Sequence, residues 1–296
     1  MLDLKVSGIF HPDPFTGDFM RSFFKAFQWF TLLLGSVCVL STSVYGQFDL
    51  LFDINPNFSP SQVAVFNQVE SAIESQILGY SPGVTLSGAV VDVNLVMIDG
   101  QGGTAAQGGG IINPSPGNLD PAFNNGGFEF HQLVTNPTVG GSTLNGTYSS
   151  GIVQFDTADL PSVSDATLFD LFYHETVHAL GFGGLFAPNN LVDANGQYIG
   201  AFGLSTFQNE FNTTATSIPT DGTTPTDVFH FDENSVLGSD ILSPELALNG
   251  NNTFSDTHIA VFQDLGYIVS VSVPEPSSLL ILASAGLLLL GRRRVV

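Results

Sequence analysis

The sequence predicts an α+β fold, because strand-like and helix-like segments alternate along the chain without an internal repeat. Two segments have the apolar periodicity of long helices, and they start near Ser59 and near Ser162. Runs rich in apolar and β-branched residues predict three strands, at residues 48–54, 88–98 and 151–156. The resulting order of strand, helix, strand, loops, strand and long helix is typical of α+β domains.

The first helix is predicted from Ser59, which suits the N-cap, with Pro60 in the first helical position. Apolar residues at three- and four-residue spacing extend this helix to about Leu78: Val63, Phe66, Val69, Ile73 and Ile77. The Gly- and Asn-rich stretch 100–147 then predicts loops with short pieces of strand.

The second long helix is predicted to begin at the sequence Ser162-Val163-Ser164-Asp165, which matches a capping box with Asp in the acidic position. Gly181 is suited to end this helix in a left-handed conformation. Further along, Asn195-Gly196 predicts a hairpin turn. A last helix is expected from about Ser255 to Asp264, closed by Gly266.

The N-terminal segment 1–46 predicts secretion. From Met20, Arg21 and Lys25 precede an apolar run and then small residues up to Gly46, which is the layout of a secretory signal peptide. Residues 1–19 fit no part of that layout, so we expect Met20 to be the true initiator. A buried or membrane helix is the alternative, although the apolar run is shorter than the ~20 residues of a membrane span.

The C-terminal segment 273–296 has three parts in a fixed order. Pro274-Glu275-Pro276 is followed by an apolar stretch, Leu279 to Leu290, and then by three consecutive arginines, Arg292 to Arg294. This tail resembles the PEP-CTERM sorting signal of Gram-negative bacteria. The resemblance implies a membrane-inserted tail, which an exosortase-type enzyme recognises and cleaves near the tripeptide. A plain C-terminal membrane anchor is the alternative.

The region between these ends, 47–276, is acidic and has no basic counterpart. All six Lys and Arg residues lie outside it, and so do three of the 27 acidic residues, which leaves 24 carboxylates and no lysine or arginine. Nucleic acid is therefore excluded as a partner, because nothing neutralises phosphates. The carboxylates must face water, accept hydrogen bonds or bind a cation such as calcium. The only cysteine, Cys38, lies in the predicted signal peptide, so the secreted domain has no disulfide.

The motif with the clearest chemistry is His174-Glu175-Thr176-Val177-His178 on the second long helix. Residues i and i+4 project from the same helix face, so two imidazoles can bind one zinc ion. The carboxylate of Glu175 could then take a proton from a zinc-activated water and later deliver it to a leaving amine. The alternative is a helix with two solvent-facing histidines.

The run His174 to Phe182, HETVHALGF, resembles the zinc helix of metzincin proteases, and specifically the leishmanolysin-like branch. Most metzincins have a third histidine three residues after the helix-ending glycine, where this chain has Gly184. Leishmanolysin-like enzymes insert a long segment before that histidine. The resemblance therefore implies His230 as the third zinc ligand, with a surface histidine as the alternative.

Two later segments extend the resemblance. Ile241-Leu242-Ser243-Pro244 resembles the family's Met-turn, with Leu242 in the methionine position, and Leu and Met have similar volumes. The end of the last helix, Phe262 to Tyr267, resembles the family's DLGY ending. Together these motifs imply a metzincin-like domain over 47–272 in two subdomains, with a mixed sheet and an active-site helix.

Other third ligands stay open at this point. His258 lies in the predicted last helix and suits packing better than metal binding, and His131 has no partner nearby in sequence. Glu210 would give the ligand set of thermolysin-like enzymes, but the Gly181-Phe182 continuation argues against it. Near the turn, four acidic residues could bind calcium or simply be solvated: Asp227, Asp232, Glu233 and Asp240.

These observations predict a secreted or envelope-associated zinc endopeptidase of a Gram-negative bacterium, acting on protein or peptide substrates. Its general base would be Glu175 and its zinc ligands His174, His178 and His230. The rival interpretation is a surface-matrix or adhesive protein with a structural or inactive zinc site. Leu242 and the Gly-, Asn- and Thr-rich loops favour that rival.

The composition predicts complete resistance to trypsin. Because residues 47–276 contain no lysine or arginine, trypsin should leave this region intact even when it is unfolded in urea. Mass spectrometry of the digest checks this, and chymotrypsin provides the control because the chain has 26 phenylalanines. Internal tryptic cleavage of the unfolded region would contradict the prediction.

Overall fold

A computed structural model describes residues 48–84, 86–110, 130–132, 136–237, 240–243, 246 and 254–270. The predicted end segments, 1–46 and 273–296, lie outside these ranges. Within them, no helix is long and apolar enough to cross a membrane. Of residues 130–132 only the backbone is described, so the side chain of His131 lies outside the described part of the chain.

The described residues form short strands and four α-helices, as the α+β prediction required. The strands are β1 (Asp49–Ile54), β2 (Ile77–Tyr80), β3 (Gly88–Val96), β4 (Ala106–Gly109), β5 (Phe130–Gln132), β6 (Thr138–Val139), β7 (Ser142–Thr143), β8 (Gly146–Tyr148), β9 (Ser150–Asp156) and β10 (Tyr267–Val269). The helices are α1 (Pro60–Gln76), α2 (Asp165–Ala179), α3 (Ala201–Glu210) and α4 (Asp256–Asp264), and a 3₁₀ turn (Leu160–Ser162) precedes α2.

The main sheet has four strands in the order β1-β3-β9-β4. Strands β1, β3 and β9 run parallel, whereas β4 pairs antiparallel with β9, so the sheet is mixed as expected. Leu50 and Val91 are buried, but their neighbours Leu51 and Val90 are 52% and 41% exposed. Since side chains alternate between the faces of a sheet, one face is covered by protein and the other faces solvent in the described part of the chain.

Aromatic side chains join helices α1 and α2 to the covered face of the sheet. The Phe66 ring of α1 has its centroid 4.3 Å from that of Phe172 on α2 and 5.6 Å from that of Phe155 on β9. The Phe58 ring meets Phe66 edge-on at 5.0 Å. This cluster holds α2, which carries the His-Glu-x-x-His motif, against the sheet.

The first helix begins as predicted but ends earlier. The Ser59 hydroxyl accepts a hydrogen bond from Gln62 N, and the Gln62 side chain accepts one from Ser59 N, which completes a capping box. The prediction of helix as far as Leu78 was wrong, because Ile77 begins β2. Antiparallel pairing with β10 causes this change, and periodicity within the helix cannot reveal a partner almost two hundred residues away.

The predicted start of the second long helix was two residues too early. Ser162 ends the 3₁₀ turn, and the N-cap is Ser164, whose hydroxyl accepts a hydrogen bond from Thr167 N at 3.2 Å. The helix ends as expected, since Gly181 has φ = 110°. The predicted hairpin at Asn195-Gly196 is a turn closed by an isolated bridge between Val192 and Tyr198.

The predicted last helix and its DLGY ending connect several elements. Asp264 accepts hydrogen bonds from Phe202 N and Gly203 N at the start of α3, a helix that the sequence analysis did not predict. Gly266 has φ = 93° and turns the chain into β10. The Tyr267 hydroxyl then donates to Leu180 O at 2.9 Å, which ties the C-terminus of α2 to this ending.

Replacing Phe66 with Ala should destabilise the domain strongly. The Phe66 side chain is fully buried, so its truncation loses transfer free energy and leaves a cavity, at a cost of about 3–5 kcal/mol in the free energy of unfolding. Urea titration followed by circular dichroism measures this. Met97→Ala is the control, because Met97 is 83% exposed and should change stability by less than ~0.5 kcal/mol. Equal effects of the two substitutions would contradict the assignment of Phe66 to the core.

Candidate metal centre

Helix α2 carries the His-Glu-x-x-His motif on its buried side. His174, Glu175 and His178 are all less than a tenth exposed. The two histidine rings, four residues apart, have centroids separated by 4.6 Å, as expected for neighbours on one helix face. They do not face solvent, and the alternative of two surface histidines is therefore wrong.

A third imidazole, that of His230, joins the pair from a distant loop. The Nε2 atom of His178 lies 3.1 Å from Nε2 of His174 and 3.0 Å from Nε2 of His230. Among the residues that the structure describes, these three form the only group of His, Cys, Asp or Glu side chains suited to hold a metal ion.

The opposite ring nitrogens all face oxygen atoms. Nδ1 of His174 lies 2.7 Å from Ile241 O, and Nδ1 of His178 lies 3.1 Å from Phe182 O. Nδ1 of His230 lies 2.9 Å from Asp221 Oδ2. Because carbonyl and carboxylate oxygens only accept hydrogen bonds, each Nδ1 must donate. Each neutral ring is thereby left with a lone pair on Nε2.

Three converging lone pairs suit a cation. At Zn–N distances of about 2.0–2.1 Å, tetrahedral geometry separates the ligand nitrogens by about 3.3–3.4 Å, close to the observed spacing. Burial lowers the pKa of His174 to about 4, and the nearby His230 contributes a smaller part of this shift. Burial likewise holds the pKa of His178 well below its usual value. The helix histidines are thus neutral near pH 7, which is the form that binds metal.

Glycines let the loop that carries His230 reach the helix. Gly183 has φ = 73°, and a Cβ atom there would lie 2.5 Å from Phe229 O. Only glycine allows this close approach of the two chain segments. The approach brings His230, the residue after Phe229, over the end of α2. Gly184, where most metzincins have their third histidine, instead lies beside Tyr148.

Glu175 lies between α2 and the edge strand β4. The N–H of Gly108 donates to the Glu175 carboxylate, and a Cβ on Gly108 would lie 2.3 Å from Glu175 O. Burial raises the pKa of Glu175 to about 8. A cation held by the neighbouring histidines would favour the ionised form and lower this pKa.

An open cleft of about 290 Å³ gives access to these groups. Its walls are formed by the three histidines, Glu175, Phe229 and residues Ala106 to Gly108 of β4. Strand β4 lies at the edge of the sheet, and no described residue pairs with its outer side. The cleft is therefore bordered by an open edge of the sheet next to the three imidazoles.

The segment expected to resemble a Met-turn lies under His174. Ser243 N donates to Asp240 O at 3.1 Å, which closes a turn over Asp240–Ser243. Leu242 is fully buried, and the Ile241 carbonyl is the oxygen that meets His174. The turn therefore contributes a hydrogen-bond acceptor through its backbone, whichever side chain occupies position 242. Pro244 lies outside the described residues.

The other candidate ligands lie elsewhere. His258 is fully buried beside Asp240, and Glu210 accepts hydrogen bonds from the backbone and hydroxyl of Thr257 at the start of α4. The four acidic residues for which calcium binding was one alternative form no metal-binding group within the described ranges. Asp227, for example, accepts hydrogen bonds from Thr223 N and Thr224 N.

Asp221 is a candidate site residue that the sequence analysis missed. Its Oδ1 accepts hydrogen bonds from Phe229 N and His230 N, and its Oδ2 accepts one from the His230 ring. A carboxylate that orients a metal-binding histidine is a common outer-shell feature of metal sites. The nine-residue separation between the two residues matches no motif, so only the folded loop brings them together.

Comparison with known proteins identifies one segment. Residues 272–295 match the PEP-CTERM protein-sorting motif, which confirms the predicted C-terminal signal. A comparison with curated proteins finds no match to the chain. The motif indicates a secreted protein that is sorted to the cell envelope of a Gram-negative bacterium through an exosortase-type enzyme. The chain thus combines this sorting signal with an α+β domain and a three-histidine group able to hold a metal ion.

Removing the Asp221 carboxylate should weaken metal binding. In Asp221→Asn an amide N–H would face the His230 ring N–H, so we expect affinity for Zn²⁺ to fall about 10- to 100-fold. Competition with a chromogenic chelator measures it. Asp227→Asn is the matched control, because Asp227 makes similar loop hydrogen bonds without touching a histidine. Unchanged affinity in Asp221→Asn would mean that Asp221 does not orient a ligand.

Proposed function

We propose that this protein is a zinc-dependent endopeptidase of the bacterial envelope. One observation supports the proposal above all: three histidine Nε2 atoms and the carboxylate of Glu175 face the same open cleft. Structural zinc sites are usually closed by four protein ligands, whereas catalytic sites have three and leave one position open. The PEP-CTERM motif supports an extracellular location for such an activity.

The three histidines and the zinc ion would have separate roles in this reaction. His174, His178 and His230 would hold the ion, and Ile241 O, Phe182 O and Asp221 would orient their rings. Zinc would supply Lewis acidity, lowering the pKa of water towards ~7 and stabilising the negative charge that develops on a substrate carbonyl. No lysine or arginine in 47–276 could take over that second role.

Glu175 would move the proton. In its ionised form it accepts a proton from the water whose oxygen attacks the peptide carbonyl carbon. It then delivers that proton to the leaving amine as the C–N bond breaks. The buried position of Glu175 suits this exchange, because burial makes the carboxylate a stronger base than it would be in water.

The edge strand β4 suggests how the substrate binds. An extended peptide could pair with the outer side of Ala106–Gly109 and present its main chain to the three histidines. A Cβ atom on Gly109 would meet nothing within 4 Å, so this end of the strand is open to such an approach. We therefore propose protein or unfolded peptide segments as the substrate class.

A metzincin-like arrangement of two subdomains is part of the same proposal, and its support is the His174–Phe182 motif. The rival is a matrix or adhesive protein with a structural or inactive zinc site. The open cleft argues against a structural site. Leu242 in the methionine position is the feature that agrees with an inactive site, so activity has to be measured.

Zinc content and casein cleavage, measured together, test the proposal. Protein purified without its terminal segments should contain about one zinc per chain, and phenanthroline should abolish casein cleavage. Glu175→Gln should retain zinc but lose at least ~100-fold in kcat, because the proton acceptor is removed. Glu233→Gln, the same substitution at an exposed residue of the loop that carries His230, is the control.

Two outcomes would contradict this assignment. An active Glu175→Gln protein would remove Glu175 from the role of general base. A zinc-loaded wild-type protein that cleaves neither casein nor unfolded peptides would favour the structural or inactive site.

A further inference from the structure

We propose that His258 and Asp240 form a buried pair of positioning residues that holds the 240–243 turn, and through it His174, in place for metal binding. This inference rests on the proposed metal centre and not on peptide hydrolysis. The pair therefore gives the last helix, α4, a role in the metal site.

His258 is isolated from solvent and surrounded by aromatic rings. Its side chain is fully buried, and its ring centroid lies 5.2–5.9 Å from those of three phenylalanines: Phe182, Phe231 and Phe254. Nδ1 lies 2.5 Å from the hydroxyl oxygen of Ser255, the N-cap of α4. Nε2 lies 3.2 Å from Asp240 Oδ2, which is ion-pair distance without hydrogen-bond geometry, and neither atom has a hydrogen-bond partner among the described residues.

The contacts of the His258 ring are compatible with a neutral imidazole. Ser255 Oγ accepts from His258 N, so its hydroxyl hydrogen is free to donate to Nδ1. Nε2 then carries the ring proton, on the side of the ring that faces Asp240 Oδ2 at 3.2 Å. His258 thus provides a donor to a buried carboxylate without carrying a charge itself.

Within the described ranges, no other side chain is placed to balance the Asp240 carboxylate. Its Oδ1 accepts a hydrogen bond from Leu242 N at 2.8 Å, and its own N–H donates to Ser243 Oγ at 2.9 Å. No lysine or arginine exists anywhere in 47–276 to pair with Oδ2. Among the described residues this buried oxygen has no hydrogen-bond partner, so the nearby His258 N–H is the group that offsets its burial, and unsatisfied buried carboxylates are costly.

The turn transmits the effect to the metal site. Asp240 fixes the Leu242 N–H, and the residue between them, Ile241, provides the carbonyl that accepts from His174 Nδ1. If Asp240 turned away to find another donor, the Ile241 carbonyl would shift and His174 would lose the bond that fixes its tautomer. Outer-shell contacts of this kind affect metal affinity even though they never touch the ion.

Metal affinity in two matched variants tests the proposal. His258→Phe removes the donor but keeps a ring that suits its aromatic surroundings. Tyr198→Phe is the control, because it also removes a donor to a buried carboxylate, Asp264, away from the turn. Affinity for Zn²⁺ and the absorption spectrum of the Co²⁺-substituted protein report the ligand geometry, and thermal unfolding of the metal-free proteins reports stability.

We expect His258→Phe to weaken Zn²⁺ binding about 10- to 100-fold and to change the Co²⁺ spectrum. Tyr198→Phe should lower stability only. His258→Gln, whose side-chain amide can still donate to Asp240, should recover most of the affinity. If His258→Phe does not fold, the metal affinity of His258→Gln is measured in its place. Equal metal affinities in His258→Phe and Tyr198→Phe, no recovery in His258→Gln, or no metal binding by the wild type would each overturn the proposal. Wild type that binds metal without cleaving casein would contradict only the proposed endopeptidase.

Discussion

The arrangement of the candidate site depends on three hydrogen bonds that leave three lone pairs facing one another. Each Nδ1 atom meets an oxygen that can only accept, namely Ile241 O, Phe182 O or an oxygen of Asp221. This constraint fixes the tautomer of every ring and directs Nε2 inward. Without a cation, the lone pair on Nε2 of His178 would be repelled by those of His174 and His230, each about 3 Å away. The oxygens come from three separate places in the chain, so the geometry of the site reports correct folding of the turn, the helix end and the loop together.

The absence of lysine and arginine determines how the rest of the domain uses its acids. Buried carboxylates accept hydrogen bonds from backbone N–H groups instead of forming salt bridges. Asp156 accepts from Ala158, Asp99, Gly100 and Ile98, and these bonds lower its pKa to about 2. Asp264 likewise accepts hydrogen bonds from backbone N–H groups at the start of α3, and Asp221 accepts them from the loop that carries His230. Acidic residues thus serve to fix loops and helix ends, which explains why a strongly acidic composition is compatible with an ordered core.

Sequence patterns predicted those parts of the structure that depend on neighbouring residues. The cap at Ser59, the start of the last helix near Ser255, the glycine conformations at Gly181 and Gly266 and the shared helix face of His174 and His178 all follow from local chemistry. Features set by distant partners were missed, including β2, which forms through pairing with β10. Asp221 and the pairing of His258 with Asp240 belong to the same class, because no spacing in the sequence encodes those contacts. His230 was identified through a family resemblance, and the structure brings its ring to the other two.

The separation between His178 and His230 has a consequence for chain entropy. These residues are 52 positions apart, and the region 47–276 has no cysteine with which to form a covalent cross-link. An ion shared by the two rings closes a loop that the unfolded chain would otherwise leave open, and closing long loops restricts the denatured ensemble most. Whatever its chemical role, a bound ion would therefore stabilise the folded state of a secreted domain that has no covalent cross-link, and removing the ion would remove that stabilisation.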